Sequence, residues 1–138
     1  MTISEEIQKL LLDTLKADAG LMALVNGVYD SPPVETVRFA KPKEAFISFG
    51  PVDVADDFAE CVDGETHTVQ IDVWSRTVGY IGCKRIVDTV KAILNRADLA
   101  LSANALVEIN VPLARVFRDP DGVTSHGVVS VELMVEVA

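Results

Sequence analysis

Residues 68–76 read Thr-Val-Gln-Ile-Asp-Val-Trp-Ser-Arg. Val69, Ile71 and Val73 alternate with Thr68, Gln70, Asp72 and Trp74. Successive side chains of an extended chain point to opposite faces, so this stretch predicts a strand with one apolar face on a core. The end of the chain repeats the pattern, with Val129, Val131, Leu133, Val135 and Val137 on one face and Ser130, Glu132 and Glu136 on the other. Between the two, from Gly79 to about Arg96, the period changes. Cys83, Ile86, Val87, Val90, Ile93 and Leu94 recur at helical steps, and Lys84, Arg85, Asp88, Lys91 and Asn95 take the opposite side, which predicts an amphipathic helix.

The rest of the chain fits around these elements. Ile3 to about Lys16 places Ile7, Leu10, Leu11 and Leu15 on one helical face, with Thr2 and Glu5 spaced as a capping box. Asp18 is placed to cap a second short turn carrying Leu21, Met22, Leu24 and Val25, and Asn26-Gly27 to stop it. Ser31-Pro32-Pro33 predicts an exposed connection, because adjacent prolines set two φ angles and remove two backbone donors. Ala45 to Phe49 is apolar enough for a buried strand, with Gly50-Pro51 expected to close it. Val52 to Gly64 holds Asp53, Asp56, Asp57, Glu60 and Asp63 and no basic residue, so an acidic solvated loop or a protruding hairpin tip is expected. Leu106 to Val111 reads as a strand that Pro112 must interrupt, bulge or place at an edge, and Leu113 to Arg118 resumes it. Asp119-Pro120-Asp121-Gly122 suits a type I turn with a glycine bulge, joining the last two strands as a hairpin.

The resulting expectation is one α+β domain over residues 1–138, a mainly antiparallel sheet with two principal helices on one face. The other face would show Thr68, Gln70, Asp72, Trp74, Ser130, Glu132, Met134 and Glu136. It is polar enough for water but carries a large aromatic that a lone monomer has no reason to expose. Trp74, Asp72, Gln70 and Met134 are therefore the candidate contact residues, with Trp74 read either as minor core folded over the sheet end or as an interface anchor.

Composition narrows the function. A chain with 49% hydrophobic and 24% charged residues is globular rather than disordered, and 138 residues bury a sizeable core without staples. Lys and Arg number 12 against 21 Asp and Glu, a formal charge of −9, which argues against stable nucleic-acid binding through a broad basic surface. Charges interrupt every apolar run, so no membrane-spanning segment is expected. Two cysteines are too few for a disulfide framework, and the amino terminus lacks the pattern of a secretion signal, which points to a reduced cytoplasmic setting.

No residue pattern demands catalysis or a cofactor. His67 and His126 have no acid–base partner at motif spacing and are expected at a hairpin end or on a sheet surface. Cys61, Cys83, His67 and His126 are enough ligands for zinc but lack the paired short spacings that let two ligands share a turn. Cys83 lies on the apolar helix stripe, as a small hydrophobe does. Gly79-Tyr80-Ile81-Gly82 lacks the lysine and hydroxyl of a phosphate loop, and Asp53, Asp56 and Asp57 lack the ligand spacing of a calcium loop. Arg115 and Arg118 are expected in water or beside carboxylates.

Four stretches together carry a resemblance: the leucine-rich first helix closing in Leu24-Val25-Asn26-Gly27-Val28-Tyr29-Asp30, the strand ending Val73-Trp74-Ser75-Arg76, the helix Lys84 to Leu94, and residues 115–127, Arg-Val-Phe-Arg-Asp-Pro-Asp-Gly-Val-Thr-Ser-His-Gly. In this order and over nearly the whole chain they resemble the small tail-completion proteins, tail terminator-like, of siphophages, prophages and gene transfer agents. Arg-x-x-Arg-Asp-Pro-Asp-Gly-x-Thr-x-His-Gly is the most specific part, and the acidic Val52–Gly64 stretch and the cysteine pair match no family motif. The resemblance implies a structural protein that forms a ring with itself, a hexamer when assembled, caps the tail-tube protein, ends tube polymerisation and offers the surface on which the head docks through the head–tail connector. It implies assembly in the bacterial host cytoplasm, a final place in the virion tail, no catalytic residues and no cofactor. Asp53, Asp56 and Asp57 are expected to face the lumen, where carboxylates would let DNA slide through, or a partner. The competing readings are a head-side adaptor or stopper of the connector, and a small-ligand-binding α+β domain.

Overall fold

The structure is a computed structural model that describes residues 1–59 and 62–138. Its elements in chain order are α1 (Ile3–Lys16), α2 (Ala19–Met22), β1 (Val28–Tyr29), α3 (Glu35–Arg38), β2 (Ala45–Ala59), β3 (Val62–Ser75), α4 (Ile81–Leu94), β4 (Ala105–Arg118) and β5 (Ser125–Glu136). The strands form one sheet in the order β1-β2-β3-β5-β4. All pairs are antiparallel except β1 with β2, which is parallel and joins only Val28 to Ile47 and Tyr29 to Ser48. The two long helices pack on one face, as an α+β layer requires when each element has a single apolar side to bury. Ile7, Leu11 and Leu15 of α1 and Cys83, Ile86, Val87, Val90 and Leu94 of α4 close one core over Ile47, Val69, Ile71, Val73, Val129, Val131 and Leu133. No helix among the described residues is long and apolar enough to cross a membrane.

The helix ends follow their caps. The Thr2 hydroxyl accepts from the Glu5 N–H at 3.2 Å, and the Asp18 carboxylate accepts from the Leu21 N–H at 2.8 Å. Such bonds satisfy amide donors that have no intrahelical acceptor. Glu6, beside the first cap, is buried and clasps the connection after α4. Its carboxylate accepts from the Ala103 N–H at 2.7 Å, the Asn104 amide at 2.8 Å and the Ser102 hydroxyl at 3.1 Å. These bonds, the Ala103 amide foremost, hold its carboxyl below the usual range.

Three expectations need correction. Gly50-Pro51 does not close β2: the register shifts between Phe49 and Val52, and the strand then pairs on from Val52–Val69 to Ala59–Val62. A bulge absorbs the donor that proline lacks, so the acidic stretch is a hairpin rather than a loop. His67 is not at a turn or on the sheet surface but is 1% exposed, because the period-two phase of Val69, Ile71 and Val73 runs back one step further. Its Nε2 lies 2.7 Å from a Glu65 carboxylate oxygen. Val137 falls beyond the end of β5 and is only half-buried. Pro112 is accommodated in two of the three ways expected, at a bulge between Asn110 and Leu113 and on the edge strand β4. Glu60 and Cys61 lie outside the described residues.

Candidate functional site

The sheet face opposite the helices is dry at one end and wet at the other. Register sets this: Trp74 stands between Phe46 on β2 and His126 on β5, and Asp72 between Ser48 and Val128. The indole stacks on the His126 ring at 3.8 Å between centroids and on Phe46 at 6.3 Å. Phe39, from the connection after α3, meets Phe46 edge-on at 5.3 Å and covers this end of the face. The Trp74 N–H donates to the Ser48 hydroxyl at 3.1 Å, which satisfies the one polar atom of a half-buried indole. One Asp72 carboxylate oxygen accepts from the Gln70 amide at 2.9 Å and lies 2.7 Å from His126 Nε2. Trp74, Asp72 and Gln70 are thus brought together. Met134 is not one of them: it pairs with Thr66, toward the far end of the sheet.

The turn residues join this cluster. Gly122 has φ +76°, its N–H donates to the Asp119 carbonyl at 3.0 Å, and the glycine takes the left-handed corner that other residues resist. Asp121 accepts from the Val123 and Thr124 N–H groups at 2.9 and 2.8 Å and from the Thr124 hydroxyl at 2.6 Å. The Thr124 hydroxyl, then these amides, hold its carboxyl below the usual range. Arg76 ties the turn to the aromatics. Its guanidinium lies 3.9 Å over the Phe39 ring, its Nε donates to the Thr124 hydroxyl at 3.1 Å, and it approaches Asp121 at 4.0 Å. A recess of about 240 Å³ remains, lined by Arg38, Phe39, Phe46, Trp74, Arg76 and Asp121 among others.

Phe39, Phe46, Ser48 and Arg76 were missing from the sequence-based candidates, and His126, expected at a hairpin end or on the sheet surface, was not among the contact residues. The signal for Phe46 and Ser48 was parity with Trp74, which needs the β2–β3 register. Phe39 carried none, since its connection has no periodicity. The zinc candidates separate: His67 and Cys83 are buried on the helix side, and His126 lies on the other face. Burial pushes the Cys83 thiol up to about 11. Among the described residues no group of three or more His, Cys, Asp and Glu side chains is placed to hold a metal.

The two sheet edges are the other exposed feature. Among the described residues β1 covers only Ile47 and Ser48 of β2 and leaves residues 52–57 without an outer strand, and β4 has no outer strand either, although Asn95 and Arg96 take up the Val111 N–H and the Ile109 carbonyl on its outer edge. Asp53, Asp56 and Asp57 are exposed on the first edge, Arg115 and Arg118 on the second. Among the described residues none of these five has an opposite charge within 4.0 Å. Arg115 lies instead over Phe117 at 5.2 Å, and Arg118 over Tyr80 at 4.8 Å.

Residues 9–136 match the family model described as Tail completion protein gp17. The chain belongs to that family. The fold agrees with a chain of the virion of a native gene transfer agent particle, at 29% identity over 98% of both chains and a TM-score of 0.85. It also resembles the gp17 protein of bacteriophage SPP1, at 24% identity over 94% of this chain and 88% of that one, with a TM-score of 0.60. No curated protein matches it. Tail completion proteins are structural virion proteins, which is not an enzyme class.

Proposed function

We propose that this tail completion protein caps the tail tube as a closed ring of its own copies, six in the assembled state, ends tube polymerisation and presents the surface on which the head docks. The observation that carries this reading is the pair of sheet edges, each with a run that has no outer strand, on a fold similar end to end to a gene transfer agent virion chain. Two different edges on one subunit make a head-to-tail contact, and head-to-tail contacts close into rings when the rotation allows. The partners are then the tail-tube protein on one side and connector proteins on the other. The net charge of −9 favours passage of DNA through such a ring over retention of it. The Trp74, Asp72 and Gln70 cluster, with Met134 farther along the same face, offers the contact surface, and Asp53, Asp56 and Asp57 a lumen wall or a partner contact.

Mixing the purified protein with tail tubes and imaging the ends by electron microscopy tests the proposal. A ring at one end of each tube and no further elongation are expected. Binding to the portal complex with no occupancy of tube ends would instead make the protein a head-side adaptor.

A further inference from the structure

The geometry points to one pairing inside that ring: residues 52–57 of β2 on one copy lie antiparallel against residues 113–118 of β4 on the next. This rests on the ring reading above and adds which surfaces meet. Elsewhere both edges carry devices that discourage pairing. β1 and the Gly50-Pro51 bulge occupy β2 before Val52, and β4 is interrupted by bulges between Leu106 and Glu108 and between Asn110 and Leu113, the second holding Pro112. What remains unguarded is one run of regular strand on each edge, 52–57 and 113–118, equal in length. Each exposes apolar side chains, Val52 at 43% and Val54 at 50% on the first and Leu113 at 53% on the second.

Charge selects the partner. The β2 run has three acids and no base, and the β4 run two arginines and no acid. Either run laid against its own copy places like charges side by side, whereas the two laid against each other pair opposite charges. This favours the head-to-tail contact over a two-fold dimer. The faces also agree. Asp53 and Asp57 share the open face with Arg115, through Thr68 and Gly64 on β3 and through Val128 opposite Asp72. Asp56 shares the helix face with Arg118, through Glu65 and through Ser125 opposite Ser75.

Strand direction and stagger are consistent with closure. β2, β3, β5 and β4 alternate in direction, so β4 of one copy meets β2 of the next antiparallel. Ala55, the middle of the acidic run, is level with Thr66, and Arg115 is level with Asp72. Those six steps along β3 make a stagger of ~20 Å at ~3.3 Å per residue, against ~19 Å across four strand spacings. The strands therefore incline by ~45° to the ring axis, at the upper end of the ~35–45° found in closed barrels.

Charge reversal tests the pairing. One variant carries Asp53→Arg, Asp56→Arg and Asp57→Arg, the other Arg115→Asp and Arg118→Asp, and thermal melts confirm that both fold. Ring formation is read by native mass spectrometry of the free protein and by electron microscopy at tube ends. Each variant alone should need at least ~10-fold more protein to form rings, since like charges brought together at an interface oppose association. An equimolar mixture should recover wild-type behaviour, because an alternating ring restores opposite charges at every contact. If wild-type rings form and either variant assembles equally well, or if the mixture fails to recover, the pairing is wrong while the ring reading stands. If the Arg115→Asp, Arg118→Asp variant forms rings but leaves the tube ends, β4 meets the tube and the pairing is overturned. If wild-type protein forms no ring alone or on tubes, the ring reading falls and takes the pairing with it.

Discussion

Gly127 lies directly beneath Cys83 and Val87 of α4, and replacing it by alanine measures how tightly the two layers are locked. Gly127 is buried on β5, paired with Val73 and Val116. A Cβ there would collide with a Val87 methyl and stand 3.1 Å from Val73 Cβ and 3.2 Å from the Cys83 sulfur. The valine cannot swing aside cheaply, because a β-branched side chain in a helix has one strongly preferred χ1. Nor can the strand retreat, since β3 and β4 hold β5 on both sides. Overpacking of this kind costs ~1–3 kcal/mol, partly offset by ~0.4–1 kcal/mol from the stiffer unfolded chain. A net loss of ~1–2 kcal/mol should lower the melting temperature by roughly 3–7 °C and the urea midpoint by roughly 1 M at unchanged slope. The companion Val87→Ala, alone destabilising through its cavity, makes room for the new methyl. The double variant should therefore be more stable than the two single losses summed, by ~1 kcal/mol or more. Urea unfolding followed by circular dichroism reads all three. A Gly127→Ala midpoint at or above wild type, or strict additivity with Val87→Ala, would show that the helix is not seated on this glycine.

Glu6→Gln should weaken the clasp on Ser102, Ala103 and Asn104 by removing the charged acceptor. Because the folded carboxyl is held below its unfolded value, its stabilisation is complete above the ordinary glutamate range near ~4.3 and is lost as pH falls through the folded value. The melting-temperature gap between wild type and variant should be full at pH 7 and close in acid; a gap that widens on acidification contradicts the assignment. Gly122→Val forces a β-branched residue to φ +76° and should cost ~1–3 kcal/mol in chemical denaturation, whereas unchanged stability would mean the turn relaxes to another shape. Trp74→Ala empties the slot between Phe46 and His126 and should cost ~2 kcal/mol or more of stability, and any loss of ring formation beyond that, compared at matched folded fraction, measures its share as an anchor.

Much of this architecture is written locally. The period-two runs at 68–74 and 129–135, the helical stripe from Cys83 to Leu94, and the caps at Thr2 and Asp18 need only neighbouring residues to be read, because each pattern is the signature of one backbone geometry. The Asp119–Gly122 turn is legible for the same reason. Strand length was harder: glycine followed by proline ordinarily ends a strand, and only the pairing with Val69 and its successors shows that a bulge lets β2 continue. His67 sits in the right phase to be buried, but its polarity argued for the surface, and the packing prevailed.

What the tertiary structure alone decided is which residues far apart in the chain become neighbours. Trp74, His126, Phe46 and Phe39 form one stack because four segments are laid side by side, and no local pattern encodes that adjacency. The same holds for the edges. The acids of residues 53–57 and the arginines at 115 and 118 are visible in the sequence as charges, but only the strand order puts them on opposite, uncovered sides of the sheet. Local propensity is set by short-range sterics and hydrogen bonding, whereas adjacency in a sheet is set by non-local pairing that the whole core must agree on.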